Sequence, residues 1–521
     1  MALPRSTDVL VVGGGNAGFS AAISAAESGA KDVTLIDACP EEWAGGNSYF
    51  TAGAFRTTHN GLQDLLPIVN NVDAATAKRI DMEPYTANDF GHDMKRICDG
   101  RSNPELSSIL INDSNDTVKW LAKKGVRFQL SFNRQAYEID GRLKFWGGLA
   151  LKTEDGGKGL IEDYRRIARS MGIHVLFSTA AKSLNTRHKG IRSVTVVDAN
   201  GEDHEIQAGA VILAAGGFEA NPRMRAQFLG PGWDYAKVRG TPYNTGACLE
   251  MAMRDVSAQQ AGNWSGCHSV AWDANAPSHA GDRLISNEFT KSGYPLGLML
   301  NARGERFVDE GMDMRNYTYA IFGRAILAQP KHTAFQVWDS RTIPWLRQEE
   351  YRDGVVEKFT SPTLQGLAAK LAQNGLDDPG QFVETITSYN DAVAAFRREN
   401  PNAKWDPAVK DGLSTQSSTK RLALPKSNWA LPLTQGPFLA IKVTCGVTFT
   451  FGGLAVDPQT AGVIASTTKS VVPGLYCCGE MLGDLFYGNY PGGSGLTSGA
   501  VFGRRAGRAA AVDVNAIRHN L

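Results

Sequence analysis

Residues 8–18 read Asp8-Val-Leu-Val-Val-Gly-Gly-Gly-Asn-Ala-Gly18, and Phe19-Ser-Ala-Ala-Ile-Ser-Ala-Ala-Glu27 follows directly. The order is an apolar strand, a glycine-rich turn and a helix of small residues. In such a unit Gly13 permits the tight turn, Gly15 lets the backbone approach a pyrophosphate, and Gly18 lets helix and strand pack closely. The stretch therefore predicts the first strand–turn–helix unit of a doubly wound α/β domain that binds a dinucleotide.

A second apolar run, Val33-Thr-Leu-Ile36, ends at Asp37, which lies 19 residues after Gly18. An acid at this offset can accept hydrogen bonds from the ribose hydroxyls of an adenosine. Asn16 and Ala17 open the first helix, whose N–H groups and positive dipole end face the phosphates. Glycine-rich turns also occur without a ligand, but the strand, the helix and the acid together favour a nucleotide site.

Composition excludes several classes of function. The 54 basic and 53 acidic residues leave a net charge of +1, which argues against a nucleic-acid partner. The seven cysteines form no C-x-x-C pair, so the sequence predicts no zinc site and no dithiol pair of the disulfide-reductase kind. The adjacent Cys477 and Cys478 are interpreted as two buried thiols, with a redox role as the alternative. No apolar run reaches transmembrane length and no signal peptide precedes the first strand. We therefore expect a soluble, cytoplasmic protein with no integral membrane segment.

The composition and the secondary-structure pattern of the sequence change twice along the chain. Residues 1–270 carry strand, glycine-turn and helix signals, and residues 432–521 return to them. Residues 271–431 are more polar, richer in Pro and Trp, and contain two amphipathic helices at Leu364–Ala372 and Gly380–Glu399. The predicted fold is α/β: a discontinuous, doubly wound, Rossmann-like dinucleotide-binding domain, with residues 271–431 inserted as an α+β capping and substrate domain.

Several motifs in a fixed order resemble the flavoprotein group of fumarate reductase, succinate dehydrogenase and 3-ketosteroid dehydrogenase. Within that group the chain is most similar to the FAD-dependent tricarballylate dehydrogenases, through Asn263-Trp-Ser-Gly-Cys-His268 and Arg315-Asn-Tyr-Thr-Tyr319. The resemblance covers nearly the whole chain. The other motifs that carry it are Gly13–Gly18, Gly45-Gly46-Asn47-Ser48, Ala52-Gly53, Ala215-Gly216-Gly217-Phe218, Asn301–Glu310, Gly452-Gly453, Gly479-Glu480 and Tyr490-Pro-Gly-Gly-Ser-Gly495.

The resemblance implies that the dinucleotide is FAD. Some relatives attach FAD covalently through a His after the Gly-Gly segment; this chain has Asn47-Ser48 there, so noncovalent FAD is expected. In the family Gly479-Glu480 contacts the ribityl and ribose hydroxyls, and residues 494–498 open the final helix, predicted at Ala500–Val512, toward flavin N1 and O2. The cofactor-binding residues implied are Gly13, Gly15, Asn16, Ala17, Gly18, Asp37, Gly45, Gly46, Asn47, Ser48, Ala52, Gly53, Ala215, Gly216, Gly217, Gly479, Glu480, Ser494, Gly495, Leu496 and Thr497.

The resemblance also implies an acid/base group near Arg315. Fumarate reductases place an Arg shortly after the Arg-Phe-x-x-Glu segment, and ketosteroid dehydrogenases place a Tyr there. Arg315 follows Glu310 by five residues, one more than the family spacing, so Tyr317 and Tyr319 are also candidates. A guanidinium relays a proton only when a carboxylate such as Glu310 or Asp313 accepts it. A structural or carboxylate-clamping role for Arg315 stays open.

Two further residues are implied on the substrate side. His268 corresponds to a His that binds a substrate carboxylate in fumarate reductases. Two of that family's carboxylate-gripping groups are replaced, by Thr448-Phe449-Thr450 and by Tyr490. Tyr490-Pro-Gly-Gly-Ser494 instead resembles the ketosteroid dehydrogenases, in which a Tyr hydroxyl holds a carbonyl and acidifies its α-hydrogen. A purely structural role for either residue is the alternative.

These features predict an FAD-dependent oxidoreductase that dehydrogenates a CH–CH bond next to a carbonyl or carboxylate. The substrate is a small acid, enone or ketone, and the electrons pass to a separate acceptor or to O₂. One alternative is an enoate or fumarate-type reductase of the same fold. The other is a flavin-binding electron-relay subunit without its own substrate.

Overall fold

The computed structural model describes residues 3–187, 190–407 and 409–519, without the side chains of Arg134, Tyr137, Arg187, Ser286, Arg315, Asn316, Ile517 and His519. The chain divides into two compact units. The first comprises Met1–Gly230, Gly240–Cys267 and Thr448–Leu521, and the second comprises Pro231–Arg239 and His268–Val447. The domain boundaries at residues 270 and 431 stay predictions, since a compact unit does not by itself define a domain.

The strands of the described residues are β1 (Ser6–Val12), β2 (Val33–Ile36), β3 (Ala54–Phe55), β4 (Ile80–Met82), β5 (Phe128–Leu130), β6 (Ala136–Ile139), β7 (Arg142–Phe145), β8 (Leu151–Thr153), β9 (His174–Leu176), β10 (Ala180–Arg187), β11 (Gly190–Val197), β12 (Asp203–Leu213), β13 (Lys237–Val238), β14 (Gln260–Asp273), β15 (Leu298–Asn301), β16 (Ala334–Trp338), β17 (Phe359–Ser361), β18 (Phe438–Leu454), β19 (Gly462–Ile464) and β20 (Val471–Cys477).

The α-helices of the described residues are α1 (Asn16–Glu27), α2 (Leu62–Leu65), α3 (Ala74–Arg79), α4 (Ala87–Ile97), α5 (Pro104–Lys124), α6 (Phe132–Gln135), α7 (Gly156–Ser170), α8 (Pro222–Met224), α9 (Ala247–Val256), α10 (Arg315–Leu327), α11 (Gln348–Tyr351), α12 (Leu364–Ala372), α13 (Pro379–Glu399) and α14 (Ser494–His519). None of them combines the length and the apolar character needed to cross a bilayer.

A parallel sheet forms the centre of the first unit. β1 pairs in parallel with β2 and β12, β2 with β9, and β12 with β20. Val9 lies opposite both Val33 and Ala210, and all three side chains are buried. Strands buried on both faces are typical of doubly wound sheets covered by helices. The predicted doubly wound α/β fold is confirmed, with β10 and β11 added as an antiparallel extension.

The second unit is built on a mainly antiparallel sheet, in which β16 pairs with both β15 and β18, and β17 pairs with β18. Helices α12 and α13 cover it and bury a contiguous apolar cluster that includes Leu367, Phe382 and Ile386. The amphipathic spacing of residues 364–399 thus serves a helix-on-sheet core. The inserted α+β part of the predicted fold is present.

Candidate functional site

The three motif glycines between β1 and α1 differ in the space beside them: Gly13 and Gly18 are closely packed, and Gly15 faces open space. Gly13 has φ +109°, and a Cβ there would lie 2.4 Å from the carbonyl oxygen of Ala214. A Cβ on Gly18 would lie 1.8 Å from the carbonyl oxygen of Gly13. The nearest atom to a Cβ on Gly15, by contrast, is Ser48 Oγ at 3.6 Å. A side chain at Gly13 or Gly18 would therefore collide with the backbone, whereas the space beside Gly15 is available to a ligand.

That space opens into a cavity of about 160 Å³ within the first unit. The cavity brings together four segments that lie far apart in sequence: the glycine turn, the end of β2, the 46–48 segment and the end of β12. Its lining also includes residues 241–248, which the sequence did not single out. The predicted cofactor-binding residues that line it are Gly13, Gly15, Asn16, Ala17, Asp37, Gly46, Asn47, Ser48, Ala215, Gly216 and Glu480.

Asp37 directly follows β2 and lines this cavity. Its Oδ2 accepts the Gly14 N–H at 2.7 Å and its Oδ1 accepts the Cys39 N–H at 3.0 Å. These bonds fix the carboxylate, and each oxygen can still accept from a ribose hydroxyl. At the start of α1 the Asn16 N–H donates to Ser48 Oγ at 3.0 Å, so the Ser48 side chain is held against the helix N-terminus.

Two carboxyl groups meet beside the cavity, and one of them was missed in the sequence. Glu219, immediately after the Gly216-Gly217-Phe218 turn, is fully buried. Its Oε1 accepts from Asn244 Nδ2 at 2.7 Å and from Asn47 Nδ2. Glu480 Oε1 accepts from the Thr450 N–H at 2.7 Å and from Thr450 Oγ1 at 3.0 Å.

The two carboxyls perturb each other's titration. Burial raises the pKa of Glu219 to about 7, and burial together with the nearby Glu219 charge holds the pKa of Glu480 well above its ordinary value. The buried Arg225 guanidinium opposes the rise at Glu219. Both shifts favour the protonated carboxyl, and a Glu480 carboxyl that keeps its proton can donate as well as accept hydrogen bonds. An acid two residues after Gly217, at the end of the Gly216-Gly217-Phe218 turn, was the signal that could have revealed Glu219.

The beginning of α14 is hydrogen-bonded to the beginning of α1. Asn16 Nδ2 donates to the Leu496 carbonyl oxygen at 2.8 Å, and Tyr164 Oη donates to Asn16 Oδ1 at 2.8 Å. Thr497 Oγ1 donates to the Arg56 carbonyl oxygen at 2.7 Å. Ser494 begins the 26-residue helix, six residues earlier than the predicted start at Ala500. The predicted residues 494–497 thus form the first turn of α14.

Tyr490 lies next to that first turn. Its ring centroid is 5.3 Å from that of Phe449 and 5.6 Å from that of Phe486, both in edge-on geometry. A Cβ on Gly495 would contact the Tyr490 ring at 3.4 Å. The phenol is only partly buried in this apolar surround, and such a setting strengthens a hydrogen bond that the hydroxyl makes.

Some predicted cofactor residues lie away from the cavity lining. Gly45 lies against Ile161, and Gly53, next to Ala52, lies against Thr153. Gly217 is closely packed against Thr450 and Glu480, and Gly479 lies against Ala17. These five positions are not among the residues that line the cavity.

The remaining catalytic candidates lie in the second unit. The rings of His268 and Tyr319 meet edge-on with centroids 6.1 Å apart. Arg315 begins α10, but its side chain is outside the described residues. Tyr317, in the first turn of α10, is partly buried, and its N–H donates to the Met314 carbonyl oxygen at 2.9 Å.

Glu310, which the sequence offered as a proton acceptor for Arg315, is already engaged. Its fully buried carboxylate pairs with Arg306 at 2.5 Å and accepts the Met299 N–H at 2.9 Å. Burial of the charges is tolerated because they are paired and hydrogen-bonded. Glu310 and Asp313 both stay candidates for accepting a proton from Arg315.

Comparison with known proteins places this geometry in context. The profile of the FAD binding domain family matches residues 8–496. An NADH:fumarate oxidoreductase of Klebsiella pneumoniae (strain 342) is 26% identical over 98% of this chain, which spans only 48% of that protein. A fumarate reductase (cytochrome) of Shewanella frigidimarina is 27% identical over 98% of this chain and 78% of its own. The solved 3-ketosteroid delta1-dehydrogenase from Sterolibacterium denitrificans is 18% identical, with a TM-score of 0.72 and coverage of 98% and 100% of the two chains.

Proposed function

We propose a function on one premise: the chain belongs to the FAD binding domain family, and its cofactor is FAD. Membership confirms the flavoprotein resemblance in the motifs, whereas the narrower likeness to tricarballylate dehydrogenases stays a prediction. We propose that the protein oxidises a CH–CH bond next to a carbonyl or carboxylate and forms a C=C bond. When bound, FAD supplies the two-electron acceptor for this chemistry.

The residues of the cavity suit FAD, and the open space at Gly15 is the observation that carries the proposal. A pyrophosphate needs close backbone approach, which Gly15 provides with no other atom within 3.6 Å of a Cβ position. Asp37 offers acceptors to the adenosine ribose, and Glu480 offers a donor or an acceptor to the ribityl hydroxyls. The Asn16–Leu496 hydrogen bond links this half of the site to the first turn of α14, whose positive dipole end would stabilise negative charge on a reduced flavin.

Four groups are proposed to act on the substrate. The Tyr490 hydroxyl would donate to the substrate carbonyl and so acidify the adjacent C–H. His268 would bind a carboxylate of an acid substrate. Arg315 would remove the proton, with Glu310 or Asp313 as its carboxylate partner. Tyr317 and Tyr319 are the alternatives for that role.

Reduction of an enoate is the second candidate function, and the names of the relatives favour it. The Klebsiella pneumoniae and Shewanella frigidimarina proteins are both named for fumarate reduction. The electron partner is part of the proposal: a separate acceptor or O₂ for dehydrogenation, or a separate donor for reduction. A cytoplasmic location is likewise proposed.

Anaerobic turnover with dyes separates the two directions. We expect an oxidised acceptor dye to be reduced when the holoenzyme meets saturated acids or ketones, and Gly15→Val to abolish the rate. Oxidation of a reduced donor dye by enoates, with no activity in the other assay, would establish the reductase instead. Absence of both activities in FAD-loaded protein would support the electron-relay alternative.

A further inference from the structure

Arg56 directly follows β3 and is one of the largest fully buried side chains, with a side-chain exposure of 2%. Its Nη1 lies 2.8 Å from Asp93 Oδ2 and donates to Tyr85 Oη at 2.8 Å. The Tyr85 hydroxyl donates to the same Asp93 oxygen at 2.8 Å. One cation, one carboxylate and one phenol therefore form a closed cluster, which we call the Arg56 cluster.

The same residue holds the segment that opens α14. Arg56 Nε donates to the Gly492 carbonyl oxygen at 2.9 Å, and the Arg56 N–H donates to the Gly493 carbonyl oxygen at 3.3 Å. The Arg56 carbonyl oxygen accepts from Thr497 Oγ1 at 2.7 Å. One side-chain and two backbone hydrogen bonds of this residue thus fix both sides of the start of the helix at Ser494, and the side-chain bond is the one that depends on the guanidinium.

A guanidinium is suited to this task in a way that other side chains are not. Taking a cation out of water costs several kcal/mol, so a buried ion pair is weak as a means of stabilising a fold. The planar fork of Arg56 points Nε at the Gly492 carbonyl while Nη1 reaches the carboxylate on α4. A lysine has a single donor nitrogen and cannot keep both directions with the same geometry.

We propose that Arg56 is a positioning residue that fixes the first turn of α14 against the flavin. The inference rests on the proposed function, in which that turn faces flavin N1 and O2. A looser turn would stabilise the negative charge of the reduced flavin less well, because the interaction with a helix terminus falls off within one turn. Arg56 variants should therefore bind reduced FAD less tightly relative to oxidised FAD, and the reduction potential should fall.

The test is the midpoint potential of the bound flavin in FAD-loaded Arg56→Lys and Arg56→Met, measured by equilibration with reference dyes. We expect about a tenfold loss of relative affinity for the reduced form, which is a fall of about 30 mV for a two-electron couple. Tyr85→Phe removes the two hydrogen bonds that the Tyr85 hydroxyl makes with Arg56 and Asp93 but keeps the Arg56–Gly492 hydrogen bond. It keeps the test available if the Arg56 variants do not fold, and should lower the potential by a smaller amount.

Arg127→Met is the matched control. Arg127 pairs with the buried Asp163 at 2.9 Å and with Glu154 in the same unit, so its loss should lower thermal stability without changing the potential. A normal potential in FAD-loaded Arg56→Met, or an equal fall in the Arg127 variant, would overturn the proposal. The potential is measured without substrate, so failure of the proposed activity would leave this result unaffected.

Discussion

Glu219→Gln should make the stability of the apoprotein less dependent on pH. Burial raises the pKa of Glu219 from an ordinary 4.5 to about 7. Between pH 4.5 and about 7, Glu219 keeps its proton in the folded protein but has released it in the unfolded chain. The free energy of unfolding therefore falls as pH rises through this window, and it levels off above it. At about 1.4 kcal/mol per pH unit, the loss amounts to about 3 kcal/mol.

Glutamine resembles the protonated carboxyl, so it keeps acceptors for the Asn47 and Asn244 amides and removes this titration. We expect the variant to gain about 3 kcal/mol relative to the native protein between pH 4.5 and 8. Urea unfolding of both apoproteins, followed by far-UV circular dichroism across this range, measures the difference. Glu399→Gln is the control, because the pKa of Glu399 is lowered by its bonds to Ser418, so this group does not retain a proton on folding as Glu219 does. Parallel stability curves for the Glu219 variant and the native protein would refute the argument.

Three further results are expected. Gly15→Val should fold and lose FAD, because a β-branched side chain fills the space for the pyrophosphate, whereas Gly18→Ala should fail to fold; full flavin occupancy in the Gly15 variant would move the site elsewhere. Acid precipitation should release all the yellow colour into the supernatant, since the Gly46-Asn47-Ser48 segment contains no His, and flavin kept in the washed pellet would contradict noncovalent binding. Arg315→Lys should lower kcat by a factor on the order of 10² with a smaller effect on KM, whereas a near-normal kcat combined with a collapse in Tyr317→Phe or Tyr319→Phe would move the acid/base role to that tyrosine.

Local patterns in the sequence predicted the elements that surround the cofactor. The strand–glycine–helix order of residues 8–27 identified β1 and α1, and helical spacing predicted Leu364–Ala372 with the same bounds as α12. Such elements are predictable because their periodicity is set by the neighbours along the chain. The final helix was predicted too short, at Ala500–Val512, whereas it spans Ser494–His519 and includes the segment 494–498 that was expected to open it.

The hydrogen bonds between segments that lie far apart in sequence could not be predicted in the same way. Asn47 bonds to Glu219 across 172 residues, and Arg56 Nε bonds to Gly492 across 436. No local pattern marks either pairing, since each depends on which loops the sheet order brings together. Glu310 and Arg306 are only four residues apart on the chain, but no pattern in the sequence singled out their ion pair.

The most direct test of the central claim is anaerobic titration of the oxidised holoenzyme with a panel of saturated carboxylic acids and ketones. Flavin absorbance reports the electron transfer, and mass spectrometry reports the organic product. The account predicts that at least one compound bleaches the flavin and yields one equivalent of a product lighter by two hydrogens, with a C=C bond next to the carbonyl or carboxylate. Bleaching that yields a product oxidised at another kind of bond, such as an alcohol or an amine, would contradict it.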